Sequence, residues 1–152
     1  MGARDFLTEL GNAPYQYQYK SGWSDPGRKW YYTAETPAGL LIVEFNHRNI
    51  TIDISFNVDG AYEISGRGDH FKIFSTVFDV ITRELPKIMS SVSEVRRISF
   101  GANADEPSRV SLYRRGSSKI SKLLGPDWEF REEPAFEGNV TFHWYNRKRK
   151  QQ

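Results

Sequence analysis

Between Ile50 and Leu85 the apolar residues of this chain change period once, and that change narrows the possible folds to a few. Ile50, Ile52, Ile54 and Phe56 alternate with Thr51, Asp53, Ser55 and Asn57. Successive strand side chains point to opposite faces, so this segment is an antiparallel strand with one face buried and one wet. Phe71, Phe74, Val77, Phe78, Ile81 and Leu85 then recur at three- and four-residue steps, with Lys72, Ser75, Asp79 and Arg83 on the far side. That spacing predicts an amphipathic helix, closed near Pro86, whose Phe74, Phe78 and Ile81 side packs on the sheet. A half-buried sheet followed by the helix that covers it is an α+β arrangement.

The flanking segments extend the same reading. Asp5–Leu10 is a short helix, and Tyr15–Lys20 alternates as a strand with three tyrosines on one face. Ser21–Arg28, with two Gly and a Pro, is a loop. Strands follow at Lys29–Glu35 and Leu40–Phe45, separated by the turn Thr36-Pro-Ala-Gly39, and Asn46–Asn49 turns the chain into the Ile50 strand. Asp59-Gly60 is a hairpin signal that returns the chain into Ala61–Ser65. Connections this short leave no room for parallel crossovers, so this half is an antiparallel meander. Arg97–Gly101 is a further strand. Asp105-Glu106-Pro107-Ser108 starts a second helix carrying Val110, Tyr113, Ile120 and Leu124, which stops at Gly125-Pro126. Trp128–Arg131 and Val140–Tyr145 are the last strands. The strand-helix-strand step from Ser65 to Gly101 is where one parallel pair, with its right-handed crossover, is expected. The organisation is one domain over 1–146 with a basic tail over 147–152.

Composition removes several classes of chemistry. The 152 residues include no cysteine, which excludes disulfides, thiol catalysis and cysteine-ligated metals. His47, His70 and His143 lie far apart without ligand spacing, so no metal is expected. No run approaches the ~18 apolar residues of a membrane span, and the N-terminus is too short and charged for a signal peptide, so a cytoplasmic location is expected. The sequons at Asn49 and Asn139 and the Arg67-Gly68-Asp69 tripeptide are then chance matches. Arg147-Lys-Arg-Lys150 either binds nucleic acid or another polyanion or is a solvated terminus. Arg109, Arg114, Arg115, Lys119 and Lys122 crowd the second helix. They either meet the phosphates of a nucleotide or nucleic acid or form the solvated side of an amphipathic helix.

Two segments carry more specific signals. At the strand-to-helix junction, Ile64-Ser-Gly-Arg-Gly-Asp69 puts two glycines before a helix start. In the second helix, Glu106-Pro-Ser-Arg-Val-Ser-Leu-Tyr113 puts a tyrosine two turns in. With the element order of strands, helix, strand, helix and two strands, they resemble the core of the GNAT superfamily of acyl-CoA-dependent N-acyltransferases. The resemblance covers Lys29 to Tyr145. The segment Gly66-Arg-Gly-Asp-His-Phe into Ile-Phe-Ser-Thr-Val is also similar to small phage-encoded acetyltransferase-like proteins, which would place the chain in a host cytoplasm.

The family's first segment reads Arg/Gln-x-x-Gly-x-Gly/Ala. The resemblance implies that Gly66, Arg67, Gly68, Asp69 and His70 hold the pyrophosphate of acetyl-CoA on backbone N–H groups at the helix start. The register departs from the full motif, and Asp69 puts a negative charge beside the phosphates. A carboxylate there is also an ordinary helix N-cap. The family's second helix runs Asn-x-x-Ala-x-x-x-Tyr; Glu106 and Arg109 replace the Asn and Ala, and Tyr113 keeps its place. The resemblance implies that Tyr113 protonates the departing CoA thiolate, while its place on the stripe with Val110 also suits a core residue. The acyl group is expected between the strand ending at Ser65 and the one at Ile98–Phe100. Glu63 and His70 neighbour the site without being assigned as base. The two helices that the family places after its first strand do not fit in Ser21–Arg28, which leaves either an open acceptor site suited to a macromolecular substrate or no acceptor site. Two functions stay open: an N-acetyltransferase acting on an amine, or a non-catalytic scaffold of the same fold that binds a host protein or nucleic acid.

Overall fold

The computed structural model describes residues 13–58, 70–103, 107–134 and 139–147. Within them, seven strands form one mixed sheet: β1 (Gln18–Tyr19), β2 (Lys29–Thr36), β3 (Gly39–Arg48), β4 (Thr51–Val58), β5 (Arg97–Asn103), β6 (Trp128–Pro134) and β7 (Asn139–Asn146). The order across the sheet is β1-β2-β3-β4-β5-β7-β6, with every neighbouring pair antiparallel except β4 and β5. Helix α1 (His70–Ser91) crosses from β4 to β5, and α2 (Pro107–Leu124) crosses from β5 to β6. This is the α+β architecture and the single parallel pair expected from the sequence.

Both helices pack on one face of the sheet, which the inner strands build from alternate residues. Leu41, Val43 and Phe45 of β3, Ile52, Ile54, Phe56 and Val58 of β4, Ile98 and Phe100 of β5, and Phe142 and Trp144 of β7 are buried there. Against them lie Ile73, Phe74, Val77, Phe78, Ile81 and Leu85 of α1, with Tyr113 and Ile120 of α2. Each such side chain contributes about 1.5–3 kcal/mol by leaving water. Trp144 reaches across to α2, donating its indole Nε1–H to Ser121 Oγ at 2.9 Å. Among the described residues no helix lies on the opposite face.

Several boundaries differ from the expectation. The helix does not close at Pro86 but runs on to Ser91. Pro86 sits on its exposed side, where the carbonyl that loses its intrahelical donor can turn to water. The added turn brings Ile88 onto the sheet, 2% exposed. Phe71 is the one member of the stripe that faces outward, at 41% exposure. Ile50 belongs to a turn beside Asn49, whose φ is 62°, and not to β4.

The tyrosine-rich strand shrinks to Gln18–Tyr19 because its first tyrosines serve α1 instead. The Tyr15 N–H donates to Thr76 Oγ1 at 2.9 Å, and the Tyr17 hydroxyl to Glu84 Oε2 at 2.6 Å. The strand beside β5 is Thr51–Val58, not a strand ending at Ser65. Asp5–Leu10, Asp59-Gly60, Ala61–Ser65 and Asp105-Glu106 lie outside the described residues.

Candidate functional site

The parallel pair is held together for only part of its length. Thr51, Ile52, Asp53 and Ile54 pair with Arg97, Ile98, Ser99 and Phe100, and the ladder ends there. Beyond it β4 stays paired to β3 as far as Val58, and β5 stays paired to β7 as far as Asn103. The sheet therefore divides past Ile54 and Phe100 into two halves, with Ser55–Val58 on one side of the gap and Gly101–Asn103 on the other. Strand backbone whose ladder stops must direct its N–H and C=O groups elsewhere, and a bound chain can accept them.

The crossovers bring the starts of both helices to this end of the sheet. Helix α1 follows the end of β4 and opens at His70; α2 follows the end of β5 and opens at Pro107. Helix N-termini carry free N–H groups and the positive end of the helix dipole. Ligands of open sheets collect beyond the carboxyl ends of parallel strands for the same geometrical reason. Gly66, Arg67, Gly68 and Asp69, expected just before α1, lie outside the described residues, as does Glu63. His70 is the first residue of α1, with its side chain outside the described set.

Tyr113 stands at the floor of the gap, two turns into α2. Its ring lies 4.9 Å from Phe74, 5.5 Å from Phe100, 6.2 Å from Phe56 and 6.3 Å from Phe142, centroid to centroid. Phe56 and Phe100 stack across the diverging strands at 6.1 Å, 14° from parallel. The tyrosine is 3% exposed, its ring buried between Phe74 of α1 and the Phe56 and Phe100 rings of the sheet.

The basic side of α2 is tied down in part. Arg114 donates to both carboxylate oxygens of Glu132 on β6, at 3.0 and 2.8 Å, and this guanidinium holds the Glu132 carboxyl below the usual carboxylate range. Lys119 instead lines a groove with Tyr15, Tyr17 and the α1 residues Asp79 and Arg83.

A second set of polar residues, not singled out in the sequence, lies on the helix-free face. Asp53, Ser99 and His143 occupy one row across β4, β5 and β7. The Ser99 hydroxyl donates to Asp53 Oδ1. Arg48 donates to Asp53 Oδ2 through Nε at 3.1 Å. His143 Nε2 is 3.2 Å from Glu133 Oε1 of β6. His143 Nδ1 and the Nε of Arg97 are buried and make no hydrogen bond among the described residues. Burial pushes the His143 imidazole below its ordinary pKa, and Arg97 adds to this, while Glu133 and Asp53 oppose it. The ring is therefore neutral at pH 7, and its contact with Glu133 assigns the ring proton to Nε2. No group of three or more His, Asp or Glu among the described residues could hold a metal ion. No described helix is long and apolar enough to cross a membrane.

No protein-family model matches the chain, and no curated protein does. Solved structures are similar over most of its length. The ribosomal L7/L12 α-N-protein acetyltransferase RimL, in its apo form, covers 93% of this chain and 73% of its own, at 10% identity and a TM-score of 0.40. A GNAT-family acetyltransferase from Streptococcus pneumoniae covers 92% of this chain and 71% of its own, at 14% identity and a TM-score of 0.38.

Proposed function

We propose that this chain is an acyl-CoA-dependent N-acetyltransferase that moves an acetyl group from acetyl-CoA to an amine. The observation that carries the reading is the gap between β4 and β5, opening between the starts of two helices with Tyr113 at its floor. The turn over Gly66, Arg67, Gly68, Asp69 and His70 would hold the pyrophosphate at the start of α1, where glycine backbone can approach closely and N–H groups are free. The acetyl group would lie past Ile54 and Phe100, between the diverging strands. The acceptor nitrogen would bond the thioester carbonyl carbon and release a proton to solvent, the carbon–sulfur bond would break, and the Tyr113 hydroxyl would give its proton to the departing thiolate and take one back from solvent. A sheet face with no helix over it among the described residues suits a macromolecular amine as acceptor. The phage-like and host-partner readings rest on the Gly66–Val77 segment alone.

The test is acetyl-CoA binding followed by calorimetry. Acetyl-CoA should bind and raise the melting temperature, because a ligand selective for the folded state must stabilise it. Replacing Gly68 with a bulkier residue should abolish binding while the fold survives. Asp69→Asn should strengthen it, since a capping side chain stays and a charge beside the phosphates goes. A flat titration at millimolar acetyl-CoA would leave only the non-catalytic binding scaffold.

A further inference from the structure

Strand β6 ends the sheet and is paired on one side only, with β7. Its backbone groups alternate between that partner and the open edge, and the phase is fixed where the strand begins. Arg147 donates its N–H to the Asp127 carbonyl, so Asp127 and every second residue after it, Glu129, Arg131 and Glu133, face β7. The N–H and C=O groups of Phe130 and Glu132 therefore point away from the sheet, as does the Trp128 carbonyl, while the Trp128 N–H returns to the Gly125 carbonyl. No described backbone group pairs with those of Phe130 and Glu132 on that side. An open row of this kind can accept another strand.

The side chains along this edge suit a second copy of themselves. Trp128, Phe130 and Glu132 stand on the helix side, and Glu129 and Arg131 on the helix-free side. Phe130 is 39% exposed although its ring stacks on Phe142 at 6.0 Å, 12° from parallel. Two such edges meeting antiparallel must set outward-facing residues opposite one another, which leaves registers two residues apart. With Phe130 opposite Phe130, Glu129 of each copy faces Arg131 of the other, and Glu132 faces Trp128. A slip of two residues puts Arg131 against Arg131 or Glu129 against Glu129, and like charges directly opposite are destabilising. A slip of four puts Pro134, which has no N–H, against Phe130, or Glu129 against Asp127. Charges on an edge strand ordinarily keep other strands away. Here they oppose the neighbouring registers and permit one.

We propose that β6 is the dimer edge of this protein: it pairs antiparallel with β6 of a second copy, centred on Phe130, and joins two seven-stranded sheets into one. The two Phe130 residues exchange N–H···O=C bonds, and each Glu132 N–H reaches the partner's Trp128 carbonyl. Asp127 would face the partner's Glu133, so the ladder ends at Trp128 and Glu132. Arg131 already binds its own Glu129 at 2.8 Å and lies over the Tyr145 ring, 5.1 Å from its centroid. It is thereby held on the helix-free side, beside the partner's Glu129. The Phe130 rings meet on the helix side and cover one another. The contact is isologous, the same patch on both copies, and so closes at two. The gap between β4 and β5 lies beyond β7, so this inference does not depend on the acyl-transfer reading.

The experiment is sedimentation equilibrium of the full chain from low to high micromolar concentration. A ladder this short is a small interface, so the wild-type chain should dimerise reversibly in the micromolar range, more weakly as salt rises. Glu129→Arg and Arg131→Glu each set like charges opposite across the two-fold axis. Both side chains are partly exposed, so the fold should survive while the dimer Kd rises at least about tenfold. Mixed in equal amounts, the two variants should form a heterodimer as tight as the wild type, because every arginine then faces a glutamate. An ion pair that matters only within one chain predicts no such recovery. Should a single variant not fold, the double variant Glu129→Arg/Arg131→Glu decides, since it keeps the pair within the chain. It should associate with itself and not with fluorescently labelled wild type. A wild-type chain that stays monomeric overturns the proposal and leaves the edge to a strand of another protein. A dimer indifferent to the single variants, a mixture that stays monomeric, or a double variant that pairs with wild type overturns it as well.

Discussion

Gly116 of α2 lies against the ring of Phe78 of α1: a Cβ at position 116 would collide with three of its ring carbons. The two helices cross here at the closest approach that a missing side chain permits, and the same contact sets Tyr113, one turn earlier on α2, against Phe74 of α1. Two opposed magnitudes make Gly116→Ala decisive. In a helix interior alanine is better than glycine by about 0.5–1 kcal/mol, whereas overpacking a filled core costs about 1–3 kcal/mol. Gly116→Ala is expected to lower stability in denaturant titrations, and Phe78→Ala to cost about 3–5 kcal/mol. In the double variant the alanine should be tolerated, giving a coupling energy above about 0.5 kcal/mol. Additive losses would place the ring elsewhere.

His143 makes stability depend on pH in a definite direction. Its pKa is depressed in the folded chain from the ordinary 6.5, chiefly by burial. Below that value the unfolded chain takes up the proton first, so unfolding binds protons and stability rises with pH. The contribution is complete above about pH 6.5, is lost progressively as pH falls toward the folded-state pKa, and is constant below that. His143→Gln should flatten this limb in urea titrations repeated from pH 7.5 to 4.5. An unchanged slope would put the buried imidazole in water.

The basic tail divides at Arg147. That residue donates its N–H to the Asp127 carbonyl at 2.8 Å and its Nη2 to the Pro126 carbonyl at 2.7 Å, tying the end of β7 to the turn before β6. Truncation after Arg147 should leave the melting temperature within about a degree, as expected for a charged terminus that buries no surface. Removing Arg147 as well should lower stability by about 1 kcal/mol, the net worth of a hydrogen bond or two of this kind. Equal melting temperatures for the two truncations would contradict the tie.

Much of this fold was legible because local pattern and tertiary environment agree. Ile52, Ile54 and Phe56 alternate on a sheet that is buried on one face, and Phe74, Phe78 and Ile81 recur on a helix that covers it. Where a tertiary contact competes with the pattern, the reading failed. Tyr15 and Tyr17 alternate like a strand, yet Thr76 and Glu84 of α1 take them, and burial, with the bond to Glu84, pushes the Tyr17 hydroxyl well above the usual tyrosine range. Pro86 reads as a helix end, but Ile88 two residues on finds the core. The polar row on the other face was not legible at all. Asp53 and Ser99 are 46 residues apart in the chain, and only the register of the one parallel pair makes them neighbours. Tyr113 was visible as a candidate acid and as a core residue, and its place among Phe56, Phe74 and Phe100 satisfies the second description without removing the first.

Tyr113→Phe separates those two descriptions. Phenylalanine keeps the ring and its packing on Phe74, 4.9 Å away, so the core should hold and stability should fall by no more than about 1.5 kcal/mol, the net value of one hydroxyl hydrogen bond. Tyr113→Ala, which empties the centre of the pile, should cost about 3–5 kcal/mol and serves as the packing control. If the hydroxyl protonates the thiolate, Tyr113→Phe should lower kcat by about 10²-fold or more while acetyl-CoA affinity stays the same. The loss should also depend on the leaving group. An acetyl thioester of a more acidic thiol needs less proton donation, so with that donor the variant should recover most of the wild-type rate. A defect equal for both thioesters would mean that the hydroxyl positions the rings and does not donate the proton.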